Sequence, residues 1–437
     1  MFLRIFQKYV RSSLYNLGDV TLKKKYNFFA AAVLTMIAVS ASSVAMIDID
    51  TAAKQYAEKS TQNALRNETV RGNKLDDFRT DDKIKDLEDQ ISEYDKQYND
   101  LDNILYISGE TAAKRYQNKM DEIALERYKL KYELAEYKYK QSENVSYSSF
   151  CDKINSYDLA KEAYGYYEQF LKYKVDLEYI KYTKELIKYF EEIIEIRQTQ
   201  LETGYAMDID VLSAKAELSS AQADLLQYEN SVSYVKKYLS TVSGVPFENY
   251  SDFNISKPSR SAAKQAFERN SSESQYHKSQ MKNLADYSSA LEALSFDIDN
   301  YAALSPYRLY PIDDDILEEL DSLSKELNSE AALQTSYISK IKLEIKQKET
   351  DTTLFIDRLF GELEVYDAEL KANQAQIAVA EEQVRVNTLL LESGKILPSE
   401  LHKSQVDLNQ LNAAKASLES EIQKICYRLS NGIYYNS

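Results

Sequence analysis

Beyond residue 208 the apolar side chains follow a strict three-four alternation, through Val211, Ala214, Leu218, Ala221, Leu225, Tyr228, Val232, Val235, Leu239 and Val242. The same register returns after residue 398, at Leu401, Ser404, Leu408, Leu411, Lys415, Leu418, Ile422, Ile425 and Leu429. Lys415 is its one clear break. A sustained 3.5-residue period keeps a stripe on one partner only when helices supercoil, so these positions read as coiled-coil seams. Before the first of them, Tyr173, Ile180, Ile187, Ile194 and Leu201 recur every seven residues, with Phe170 and Leu177 on the adjoining row. The pattern predicts, twice over, a long helix, a tight turn and a long antiparallel helix; forty residues of helix span about 60 Å.

The turns repeat as well. "LETGYAMDIDVL" from Leu201 aligns with "LESGKILPSEL" from Leu391 at an offset of 190 residues. Gly204 and Gly394 stand where each helix should end, in the place usually given to a left-handed glycine. Asp208 is expected to cap the next helix in the first copy, and Pro398 to occupy its first turn in the second. Asp208, Asp210 and Glu400 then face the positive end of a helix dipole, which makes them helix-start residues before anything else. "TAAKQYAEKS" from Thr51 likewise matches "SAAKQAFERN" from Ser261. The chain therefore divides into a first repeat over 46–250, a linker over 251–260 and a second repeat over 261–437. Within the first, residues 67–144 are rich in opposite charges at helical spacing and read as a charged helical insertion, an extra helix pair packed on the rest.

Composition narrows the fold class. Only 9 Gly and 5 Pro serve 437 residues, too few turn formers for a sheet protein and suited to an all-α chain of long hairpins. The 36 tyrosines against no tryptophan suit helix seams as amphipathic fillers and equally suit compositional bias. Lys23, Lys24 and Lys25 precede an apolar run from Asn27 to Ala45 that ends in small residues. Residues 1–45 thus have the layout of a signal peptide, or of an N-terminal anchor that would associate with a membrane. Their loss would take the formal charge from -16 to about -21, and so acidic a chain is unsuited to nucleic acid.

Cys151 and Cys426 lie far apart in helical patterns and read as two buried thiols, a disulfide between them being the alternative. His277 and His402 have no ligand-spaced neighbours, so no metal is expected. No phosphate loop, no nucleophile with its base and no cofactor motif emerges, so the chain is not expected to be an enzyme.

Gly204 with Asp210, Val211 and Leu212, then Leu239, Ser240 and Gly244, is matched by Gly394 with Glu400 and Leu401, then Leu429, Ser430 and Gly432. This doubled arrangement, with its "AAKQ" starts, resembles the TolC family of outer-membrane efflux proteins over nearly the whole mature chain. The resemblance implies a homotrimer whose hairpins form a hollow α-helical barrel. It further implies that both turns dock a periplasmic-type adaptor of an inner-membrane pump, narrow the aperture and pass substrate outward without chemistry. By the same resemblance each half should insert two strands into a membrane β-barrel. Neither "KQSENVSYSSFCDK" nor "DNYAALSPYRLYPIDDD" supplies such strands, so the expected fold is a TolC-like α-helical barrel with little or no β-barrel. The expected function is an exported subunit of an efflux or secretion conduit of the cell envelope, placed at the outer membrane by the resemblance. The alternative is a structural coiled-coil scaffold or spacer of the envelope without channel activity.

Overall fold

The computed structural model describes residues 47–48, 51–52, 54, 61–105, 107–243, 246–251 and 255–434. The expected signal peptide or anchor, residues 1–45, lies outside the described residues, as does Gly244. Among the described residues the long helical elements are α1 (Thr61–Leu105), α2 (Glu110–Glu202), α3 (Asp208–Ser243), α4 (Arg260–Asn270), α5 (Ser272–Ala303), α6 (Asp314–Glu392) and α7 (Pro398–Asn431). Two-residue strands β1 (Ile47–Asp48) and β2 (Tyr250–Ser251) pair in parallel. Among the described residues they form the whole sheet content, and no barrel is present.

At 93 residues, α2 is about 140 Å long at 1.5 Å per residue, and α6, at 79 residues, is about 120 Å. Neither contains proline, and the stretch around Lys140–Lys153, where strands would have been inserted, continues α2 unbroken. Residues 67–144, expected to be an addition, lie in α1 and the first part of α2. That antiparallel pair has a counterpart in α5 and the start of α6. We therefore read it as one half of a duplicated hairpin and not as an extra layer.

In the upper half of the molecule α2 packs against α1 and α5, and α5 against α6. The core there joins Leu125 and Tyr128 of α2 to Leu291, Leu294 and Ile298 of α5 and Leu320, Leu323 and Leu327 of α6. Small buried residues at the α5–α6 seam, Ser288, Ser295 and Ser324, let the two backbones come close. Their hydroxyls are satisfied in doing so: Ser288 donates to the Ala331 carbonyl at 3.2 Å, and Ser324 to Asp299 at 2.6 Å. A buried hydroxyl left without such a partner would cost stability.

In the lower half the neighbours change. α3 lies on α2, α2 on α7, and α7 on α6. Tyr179 and Tyr228 stack across the α2–α3 seam with ring centroids 5.1 Å apart, and Tyr167 of α2 donates to Gln423 of α7 at 3.0 Å. Tyrosine is thus the seam filler along α2, its ring buried and its hydroxyl given a partner.

The two halves meet at a waist. Phe267 and Ala263 of α4 enter the core between α6 and α7, with Leu359, Leu363 and Leu429. The segment before α4 is held by Gln423, whose side-chain oxygen accepts from Ile255 N at 2.7 Å while its amide donates back to the Ile255 carbonyl at 3.3 Å. Ser259 then caps α4 by accepting from Ala262 N at 3.2 Å. Behind α7, Tyr157 of α2 donates to the Tyr434 carbonyl at 2.9 Å. Gly432 ends α7 at φ 61°, and a Cβ there would sit 2.7 Å from Phe267 N and closer still to the Ala266 carbonyl. Both the left-handed backbone and the approach of α4 therefore require glycine.

Gly432→Ala should destabilise the fold by about 2–4 kcal/mol, the left-handed penalty plus a clash with backbone that cannot rotate away; urea unfolding of wild type and variant measures it. A second expectation concerns alkali. Burial raises Tyr128, Tyr164 and Tyr287, and pushes Tyr139 up to about 12, with Glu143 adding to the last. Raised phenol values mean that the stability held by these rings is full below the ordinary value of about 10 and is lost as pH climbs above it, for Tyr139 through about 12. The last part of the phenolate absorbance, from these buried rings, should rise together with loss of helical circular dichroism.

Candidate functional site

Both expected turns lie at the lower end, and they are built alike. In the first, Gly204 adopts φ 79° and donates to the Leu201 carbonyl at 3.1 Å, while Tyr205 N donates to Gln200 O at 2.7 Å. In the second, Gly394 adopts φ 68° and donates to Leu391 O at 2.9 Å, while Lys395 N donates to Leu390 O at 2.8 Å. A six-to-one bond enclosing a five-to-two bond around a left-handed glycine is a Schellman closure, which satisfies the last carbonyls of the incoming helix.

The outgoing helices start differently. Asp208, expected as the cap, is instead the first residue of α3, and Met207 holds the cap position. Asp210 supplies the side-chain bond, its carboxylate accepting from Met207 N at 2.9 Å. This is the return arm of a capping box, a third-position acid reaching back to the cap amide. In the second turn Pro398 opens α7 after Leu397, and no side-chain bond is made. Its fixed backbone angle does the same work. Glu400 is exposed, and its amide donates to Leu397 O at 3.0 Å. Tyr205, Met207, Ile209 and Leu397 stand out into solvent at the tips.

The expected seam residues are buried unevenly. Val211, Leu239 and Leu429 are buried, whereas Leu218, Leu225, Val232, Leu401, Leu408, Leu418 and Ile422 are half-buried. One layer of helices accounts for this. With α3 and α6 sharing no extended contact, the lower array has two open edges. In that array the α6 edge carries Val365 and Val379, continuing a line through Leu343 and Leu354 higher on the helix, and the α3 edge carries Leu212, Leu226 and Tyr234, all between 55% and 72% exposed. Each set falls within about 40° of one line along its helix at 100° per residue. The α6 set was legible as an apolar residue every eleven positions from Leu343 to Val365, a period hidden beneath the heptads. Beside it, Ala375, Val379, Ala380, Ser404 and Leu411 line an open groove of about 530 Å³ between α6 and α7.

Other chemistry-bearing residues are structural. His402 of α7 faces Glu192 of α2 with Nδ1 and the carboxylate 2.9 Å apart. His277 lies beside Tyr276. Cys426 is buried, and burial pushes its thiol up to about 11, which suppresses the reactive thiolate at neutral pH. Cys151 is half-buried. Among the described residues no group of His, Cys, Asp and Glu could hold a metal ion, and no helix is long and apolar enough to cross a membrane.

No family model and no curated protein matches the sequence. Solved structures are similar to it, among them TolC-family outer-membrane channels. A structure of CusC, described in terms of transmembrane channel formation, is 9% identical over 78% of this chain and 92% of its own, with a TM-score of 0.42. The outer-membrane channel OprN is 11% identical over 68% of this chain and 71% of its own, with a TM-score of 0.44. The Campylobacter jejuni CmeC outer membrane channel is 11% identical over 68% of each chain, with a TM-score of 0.38.

Gly204→Val and Gly394→Val should each cost about 1–2 kcal/mol of local stability from the left-handed backbone alone. Amide hydrogen exchange at Tyr205 and Lys395 checks this: each variant should speed exchange at its own turn and leave the other unchanged.

Proposed function

We propose that the chain is an exported subunit of a helical conduit of the cell envelope, working by transport without bond chemistry. The observation that carries the proposal is the pair of unlike apolar edges, α3 and α6, on a single layer of helices. A layer with two different sticky edges associates head to tail, and such heterologous contacts close into a ring when the curvature suits a whole number of copies. A homotrimer is the number proposed, giving a wall of twelve helices around a lumen. The half-buried Leu218, Leu225, Leu408 and Leu418 would become part of a continuous wall, and the exposed stripes would lose their water.

The lower turns are the proposed docking end. Their closures fix the backbone at the tip, and Tyr205, Met207, Ile209 and Leu397 offer apolar contacts that this chain leaves uncovered. A periplasmic-type adaptor linked to an inner-membrane pump is the partner proposed for Gly204, Asp208, Asp210, Gly394, Pro398 and Glu400.

Sedimentation of the exported chain, followed by imaging, tests the assembly. A trimer with a central lumen is the expected result, and a monomer or a solid dimer overturns it in favour of an envelope scaffold. Leu226→Glu on one edge or Val379→Glu on the other should each weaken assembly at least about tenfold, since a charge buried in an apolar contact costs more than 1.4 kcal/mol. Docking is tested separately by adaptor capture, which Gly204→Val and Gly394→Val should abolish while the ring still forms.

A further inference from the structure

The upper end of the molecule, opposite the glycine turns, is the least explained part of its surface. The α1–α2 turn and the α5–α6 loop sit side by side there, tied by Tyr310 donating to the Glu110 carbonyl at 3.1 Å and by Asn118 donating to Asp313 at 2.9 Å. The loop is held stiffly. Arg308 reaches the fully buried Asp121 at 2.7 Å and lies over the Tyr301 ring at 4.3 Å, while Tyr301 also donates to Asp121 at 2.7 Å. Ser305 accepts from Ile312 N at 2.9 Å and closes the base.

From this fixed frame Ile107, Tyr307 and Leu309 project almost wholly into water, at 85%, 87% and 85% exposure, with Leu304 and Ile104 beside them. A loop that spends a buried ion pair on holding apolar side chains outward is arranged for a surface it meets. Directly below lies an open pocket of about 630 Å³ lined by Lys114, Arg115, Lys119 and Tyr310, with Glu110 and Glu122 at its sides. Among the described residues none of those three cations forms an ion pair, and the pocket wall is net positive on a chain of charge -16.

We propose that this end rests on a phospholipid surface, with headgroup phosphates drawn to Lys114, Arg115 and Lys119 and with Ile107, Tyr307 and Leu309 among the upper acyl carbons. Single apolar side chains standing out from two neighbouring loops above a cationic pocket suit a fluid surface better than a protein ridge. Tyr at the interface and cations at phosphate level match the layering of a bilayer edge. Asp313, Asp314 and Asp315 open α6 nearby, so bulk charge does not draw the tip in; local phosphate contacts and shallow apolar insertion do. The proposal is independent of the ring, since all its residues belong to one chain.

The chain has no tryptophan, so one introduced indole reports its own site. In the full chain, Leu309→Trp marks the upper end and Tyr205→Trp the lower. With vesicles of phosphatidylcholine and phosphatidylglycerol carrying brominated acyl chains, the indole at 309 should shift to the blue and be quenched, while that at 205 stays unchanged. Adding Lys114→Glu, Arg115→Glu and Lys119→Glu to Leu309→Trp should weaken vesicle binding by roughly tenfold or more. Emission at 309 that ignores vesicles overturns the proposal, whether the N-terminal segment binds lipid by itself or the tip serves a protein. Equal quenching at both positions overturns it too, and unchanged affinity after charge reversal removes the headgroup pocket.

Discussion

A helix of 93 residues cannot bury its own apolar side chains, and its backbone hydrogen bonds alone would not hold it straight in water. What supports α2 is a change of partners along its length, α1 and α5 above, α3 and α7 below, each burying a different stretch of the same seam. Every other long helix lies on α2, α6 only over a short stretch where Lys129 pairs with Glu319 at 2.9 Å, the rest of α6 being reached through α5 and α7. A break in this helix would therefore separate hairpins and not merely bend one. The tyrosines explain how one helix serves so many partners, since a ring can stack on Tyr228, on Tyr427 or on Tyr287 while its hydroxyl still finds oxygen or water.

Laying helices in one layer has a chemical consequence at the rim. In a closed bundle each helix shows one polar face to water. In a layer the end helices lack a neighbour, and α3 and α6 keep apolar residues where that neighbour would stand. The edges come from different helices and carry different residues, Val365 and Val379 against Leu212, Leu226 and Tyr234, so they are unlike, which favours a head-to-tail assembly over a two-fold one.

Much of this was readable from residues. Heptad spacing from Tyr173 to Leu201 and from Val211 to Leu239 marks α2 and α3, and glycine at 204 and 394 marks the turns because few residues tolerate that backbone. The sparse Gly and Pro content pointed to helices throughout. Other parts were hidden for physical reasons. The cap at the first turn was assigned to Asp208 because acids are good caps, yet Asp210 makes the bond from inside the helix, a choice that depends on where helical geometry begins. The charged stretch over 67–144 looked like an addition because its apolar residues are sparse among opposite charges at helical spacing, and its counterpart in α5 and α6 shares the shape with little of the sequence. The upper loop, with Arg308 on Asp121, joins residues 187 positions apart, and no local pattern announces such a pair.

The waist gives the molecule an order of events as well as a shape. The hairpins at either end join helices through turns of a few residues, so their contacts are near in sequence. The waist binds Ile47 to Tyr250, Gly432 to the back of α4, and Tyr157 to Tyr434 across 277 positions. Contacts that close such long loops carry the largest entropic cost and form after local ones. Hairpins would thus zip first as separate rods, and registration of the two halves would wait for the contacts that Ile433 and Tyr434 complete at the waist.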